Sequence, residues 1–195
     1  MRNVFKRFIA FLIDIIIVTW ISATISSASF MNPKYNEYKE YAETYDAAIQ
    51  NIGDKSLNEI STELTDISYD MERTGYVYTI YDIVIYYLYF AVFAYFTEGA
   101  TVGKRIMNFK LSTQDEKKPK LTQYFIRTTI MYGIIPSTIN LIGLLFNKTI
   151  FLKIYSISNI LNLAIVIMMI VSIIGNKENI GINDRLAGTK VISIK

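Results

Sequence analysis

Four long apolar runs constrain this chain more than any other feature. They occupy residues 8–30, 76–96, 128–146 and 154–175. A helix rises about 1.5 Å per residue, so about 20 apolar residues cross a hydrocarbon core about 30 Å thick. The chain is 52% hydrophobic and only 19% charged, and its charges fall in blocks between the runs. The fold class that follows is an all-α membrane protein built as a bundle of four transmembrane helices. Pro136 should bend the third run, which a membrane helix tolerates where neighbours satisfy the freed carbonyl. The short connection NKTIFLK makes the last two runs an antiparallel hairpin. Asp14 inside the first run argues against a cleaved signal segment.

The charges between the runs set the expected orientation, because cytoplasmic loops collect Lys and Arg. Residues 1–7, 97–127 and 175–195 carry fourteen basic residues, whereas 29–75 and 147–153 carry six. The 29–75 loop also holds ten acidic residues. Both termini are therefore expected in the cytoplasm of a multi-pass protein in a cell membrane. High Ile, Asn, Lys and Tyr usage points to an AT-rich bacterial genome.

Two smaller elements are legible in the loops. Asn32-Pro33 reads as a helix start, and Tyr38, Tyr41, Tyr45, Ala48 and Ile52 follow at helical spacing. Gly53-Asp54 breaks that pattern, and Ser56-x-x-Glu59 is a capping box. Leu57, Ile60, Leu64, Ile67 and Met71 then form a second stripe, so 33–73 should be an extracytoplasmic helical hairpin. On the other side, the segments near 107–112 and 189–194 alternate like strands. They lie in the cytoplasmic segments 97–127 and 176–195, where they should pair as a small two-stranded β-ribbon. A lone ribbon is marginal in water, so it should rest on the helix ends.

Without cysteine or histidine, the chain has no disulfide, thiolate nucleophile, imidazole base, haem ligand or usual zinc site. No nucleophile–base set is visible, so neither an enzyme nor a cofactor is expected. Gly99-x-x-x-Gly103-Lys104 is not a phosphate-binding loop, because the glycine spacing is short and Arg105 follows the lysine. Gly103, Lys104 and Arg105 read instead as a turn whose cations meet an anionic leaflet. The basic residues sit where topology requires them, so no nucleic-acid partner is expected. Lipid, a second copy of the chain, and a protein docked on the outer hairpin are the expected partners.

Ionisable groups inside a membrane usually have a partner or a task. Arg7 lies where the first helix enters, and Asp14 lies two turns deeper on the same face. Asp82 lies about two turns inside the second run, and Arg127 opens the third. Asp14 needs a partner such as Arg127, a Thr or Tyr hydroxyl, a cation or a proton. Tyr86, Tyr87 and Tyr89 offer hydroxyls at that depth.

Three blocks, KRFIAFLID, TEGATVGKRIMNFKL and NDRLAGTKVI, resemble those of the RDD family of membrane proteins. That family is named for one arginine and two aspartates, which the resemblance places at Arg7, Asp14 and Asp184. Arg127 resembles the arginine that often follows the family's middle block. Two departures are Asn183, where a histidine or basic residue is common, and the length of the outer hairpin. The resemblance implies movement of ions or small solutes. Two readings follow. One is a transport-related protein that moves or senses a cation or proton, with Asp14 as the intramembrane site. The other is a membrane scaffold or regulator in which Arg7, Asp14 and Asp184 are structural. By depth, Arg7 should meet Asp184 near the inner interface.

Overall fold

The computed structural model describes residues 2–51, 53, 56–175 and 180–194. Ile52, Asp54 and the start of the last segment, 176–179, lie outside the described residues, as does the side chain of Leu57. Helix α1 spans Arg2–Ser26, and a short 3-10 turn, Ser29–Met31, leads to α2, Tyr35–Gln50. Helix α3 runs Leu57–Tyr86, passes into a π-helical stretch, Tyr87–Phe93, and closes as α4, Ala94–Phe96. After a turn come α5, Val102–Ile106, and strand β1, Phe109–Thr113. The remainder is α6, Leu121–Met131; α7, Ile134–Gly143; α8, Lys148–Ile174; α9, Ile182–Ala187; and β2, Thr189–Ser193.

Among the described residues, three helices are long and apolar enough to cross a membrane: Val4–Ser26, Asn58–Phe96 and Lys148–Ile174. Their large apolar side chains are widely exposed; Ile16, Trp20, Ile157 and Val171 are examples. Such faces suit a hydrocarbon solvent, in which every backbone group is satisfied within its own helix.

The third apolar run does not form the single bent helix expected over 128–146. It splits into α6 and α7 at Tyr132-Gly133, and Gly133 has φ of +68°. Pro136 explains the position of the break. A proline ring collides with the carbonyl four residues earlier and cannot donate to it. That carbonyl belongs to Tyr132, so the helix stops there. Pro136 is then accommodated in the first turn of α7, where amide hydrogens lack intrahelical acceptors anyway. At ten residues, α7 is about 15 Å long, half of a hydrocarbon core.

Nor does the second stripe of the expected hairpin end before the second apolar run. Residues 57–96 form one uninterrupted rod, because nothing stronger than Gly75 stands between them. The capping box at its start is present, with Ser56 and Glu59 bonded reciprocally. Helix α2 starts at Tyr35, two residues after Pro33, and packs along the rod. Asn32 fastens that end, since its amide donates to the Thr74 carbonyl at 3.0 Å. Tyr38 sits edge-on to Tyr78 with centroids 5.0 Å apart. Lys148 pairs with Asp66 at 2.9 Å, tying α8 to the same rod.

At the opposite end, β1 and β2 pair antiparallel, with Leu111 opposite Val191. Leu111 packs with Ala91, Ala94 and Tyr124, so the ribbon rests on the helix ends as expected. A second apolar cluster joins Val18, Ile85 and Phe90 inside the bundle. Phe11, Tyr132, Phe90 and Tyr86 stack between them.

Candidate functional site

Two polar features stand out within this apolar frame: a charge cluster at the ribbon end and a cavity at the break in the third run. The cluster begins on α1, where Arg7 and Asp14 share a face about 10 Å apart along the axis. Asp14 is 2% exposed, and its carboxylate is fully engaged. The Tyr89 hydroxyl donates to it at 2.8 Å, the Thr101 hydroxyl at 2.5 Å and the Gly103 amide at 2.8 Å. The Gly103 amide lies in the first turn of α5, so it has no acceptor within its own helix. Gly103 must lack a side chain, because a Cβ there would fall on the Ala10 carbonyl oxygen. The π-helical stretch carries Tyr89, whose hydroxyl also accepts from the Val102 amide at 3.3 Å. One carboxylate thus joins α1, the second long helix and the turn that follows it.

Asp184 forms the other half of the cluster. Arg127 Nε donates to its Oδ1 at 2.7 Å, and both side chains are less than a tenth exposed. The Thr189 hydroxyl donates to the same oxygen at 3.1 Å. Gln123 donates to the carbonyls of Ala187 and Gly188, which holds α6 against the end of α9. Arg7 was expected to meet Asp184; it feels that carboxylate's charge, but the hydrogen-bonded partner of Asp184 is Arg127. The reason is packing: α6 lies on α9, whereas α1 meets the ribbon. Arg7 donates to the Val191 carbonyl at 2.7 Å, and its guanidinium stands 5.8 Å from the Phe109 ring centroid.

Half-buried Lys104 donates to the Thr101 hydroxyl at 3.3 Å. Burial, and then the charge of Arg127, pushes its ammonium down to about 8. Arg105 is exposed, as a leaflet contact requires, and Gly103 is buried. Three cations, Arg7, Lys104 and Arg127, therefore face two carboxylates, Asp14 and Asp184. Sequence reasoning offered Thr and Tyr hydroxyls as partners for Asp14 but did not single out Thr101 or the Gly103 amide. The only local signal is that Thr101 directly precedes the Val102-Gly103 turn. Thr189 and Gln123 carry no signal beyond being polar.

The cavity has a volume of about 300 Å³. Glu72, Thr79, Asp82 and Tyr86 line it from the long rod, Ser137 and Asn140 from α7, and Asn159 and Asn162 from α8. Tyr132 and Gly133, the residues of the break, complete the wall. Asp82 accepts from the Ser22 hydroxyl, and Asn140 from Ser158. Among the described residues, the side chains of Glu72, Asn159 and Asn162 make no hydrogen bond or ion pair. No lining residue is basic. Tyr132 connects the two features, since it lines the cavity and lies within the field of Arg127. Asp14 does not line the cavity. A more open recess of about 410 Å³ follows the turn at 29–37, but its walls come from that single stretch.

Apolar helices, a broken one among them, closed at one end by a buried arginine–aspartate cluster beneath a two-stranded ribbon, define a class of integral membrane protein. The RDD family model matches residues 1–188, and the chain belongs to that family. No curated protein and no solved structure matches it.

Proposed function

We propose that this protein is transport-related and moves or senses a cation or proton. In this reading it is a multi-pass protein of the cell membrane, with the ribbon and both termini in the cytoplasm and the α2–α3 hairpin outside. One observation carries the proposal: the third apolar run breaks where it borders a polar cavity. Irregular backbone at membrane depth is tolerated where it is buried in protein or lines a water-filled cavity, and transporter sites use such interrupted helices. The cavity contains two carboxylates and no base, so its field favours cations.

Asp14 takes a different role from the one first assigned to it. Its carboxylate is saturated by three donors and sits outside the cavity. It acts as a lock between α1 and the inner turn, and the arginine–aspartate cluster closes the cytoplasmic face. Saturation of that cluster also supports a second reading: a scaffold or regulator in which the family residues only secure the fold and the hairpin docks a partner. Alternating access usually draws on more helices than this chain has, so the transport reading includes a homo-oligomer.

The test is flux in liposomes carrying purified protein, under Na⁺, K⁺ or pH gradients. Wild type should dissipate at least one gradient faster than protein-free vesicles. Asp14→Asn should lower the yield of folded protein but keep the flux per folded molecule. An absence of wild-type flux under every gradient would leave the scaffold reading.

A further inference from the structure

We infer that the cavity at the helix break binds one monovalent cation, either an alkali-metal ion with part of its water or a small primary ammonium, with Asp82 as counter-charge. The inference deepens the transport reading and rests on it for its purpose.

The charge of the site comes first. Glu72 and Asp82 lie ten residues apart on one rod, so roughly 15 Å separates their backbones along the axis. They cannot both enclose a single small ion. Glu72 belongs to the hairpin end of the cavity and Asp82 to its deeper part. An ion beside Asp82 therefore meets one negative charge, balanced by a single positive one. Calcium-type sites gather six to eight oxygens, usually with several carboxylates. Among the described residues, no group of three acidic side chains could hold a metal ion.

Neutral oxygens supply the remainder. Asn140 and Ser137 face the cavity from α7. The Asn162 carboxamide oxygen stands near the break, 3.5 Å from where a side chain on Gly133 would begin. The Tyr132 carbonyl receives no amide from Pro136, because proline has none to give. Half-buried Asn162 has no side-chain hydrogen bond among the described residues, so its carboxamide is available to a ligand. A cation with water suits this lining, because carboxamide, carbonyl and carboxylate oxygens each carry the negative end of a dipole or a negative charge. The volume suits this ligand. About 300 Å³ is well above what one water needs, which leaves room for a partly hydrated ion. Glu72, unpaired and nearer the hairpin, would raise the local cation concentration at the entrance.

The experiment is direct binding of radiolabelled Na⁺ and radiolabelled methylammonium to detergent-purified full-length protein, with N-methyl-D-glucamine chloride holding ionic strength constant. One or both should bind saturably, and unlabelled Na⁺, K⁺ and methylammonium are each tested as competitors. Competition by methylammonium alone identifies an ammonium site, and competition by Na⁺ or K⁺ alone identifies an alkali-metal site. Asp82→Asn should weaken binding by about tenfold or more. Asp82 also holds Ser22, so Asn162→Ala and Glu72→Gln serve as variants that break no hydrogen bond. Asn162→Ala should weaken affinity severalfold, and Glu72→Gln should slow association with a smaller change at equilibrium. Binding of Ca²⁺ or Mg²⁺ alone, or affinity unchanged in all three variants, overturns the inference. If flux persists while cavity variants bind and transport as wild type, the site is elsewhere and the transport reading stands. If binding follows the cavity residues but wild type carries no flux, the site stands and the transport reading falls.

Discussion

Replacing Asp184 with alanine tests whether the buried cluster is a charge balance or a set of separate contacts. In the wild type, Arg7, Lys104 and Arg127 face Asp14 and Asp184, a net charge of +1. Asp184→Ala raises this to +2, strands Arg127 among buried neighbours and leaves the Thr189 hydroxyl without its acceptor. Breaking a buried pair from one side costs about 3–5 kcal/mol, and a lost hydrogen bond adds to it, so a value near the upper end is expected. Arg127→Met removes the same contact but leaves two cations against two carboxylates. Its cost should fall near the lower end, about 3 kcal/mol. The double variant Arg127→Met, Asp184→Leu restores the net charge of +1 and fills the space with apolar groups. It should cost less than either single change, because replacing a whole buried pair is often close to neutral. Denaturant titration in detergent, followed by circular dichroism, measures all three. If Arg127→Met proves as costly as Asp184→Ala, the cluster does not act as a balance. If the double variant costs the sum of the singles, the two side chains are not each other's partner.

Other consequences can be measured as directly. Gly103→Ala would drive a methyl onto the Ala10 carbonyl and separate α1 from α5, costing about 1–3 kcal/mol or more by the same titration, whereas Gly53→Ala, with open space around it, should be neutral. Lys104 binds its proton less tightly when folded, at about 8, than unfolded, at about 10.4. The unfolded chain therefore holds more protons between those values, and this group's contribution to stability rises with pH across that window. Lys104→Met should flatten that rise, and an unchanged slope would contradict the burial of the ammonium. For orientation, a membrane-impermeant thiol reagent on intact cells should label Cys introduced at exposed Ser61 and spare Cys at exposed Asp115 until the cells are opened. Labelling at Asp115 alone would invert the topology.

The sequence by itself determined the class of protein and the presence of a two-stranded ribbon, with strands within two residues of where they fall. These are local facts. Apolar run length measures membrane thickness, alternation over 107–112 and 189–194 marks two strands, and Ser56-x-x-Glu59 marks a helix start whatever the rest of the chain does. Even the break in the third run was within reach, because Pro136 dictates where the Tyr132 carbonyl must give way; the expectation of a bend underestimated how far Gly133 lets the chain turn. Tertiary structure alone decided who meets whom. Depth along a helix put Arg7 and Asp184 at one level, but a hydrogen bond needs atoms about 3 Å apart, and the packing of α6 on α9 gave Asp184 to Arg127. Likewise, nothing local distinguishes Thr101 from other threonines or turns Tyr89 toward Asp14; the π-helical stretch and the close crossing at Gly103 do that. The cavity was hidden for the same reason. Glu72, Asp82, Asn140 and Asn162 belong to three helices, and their shared surroundings exist only once those helices have packed.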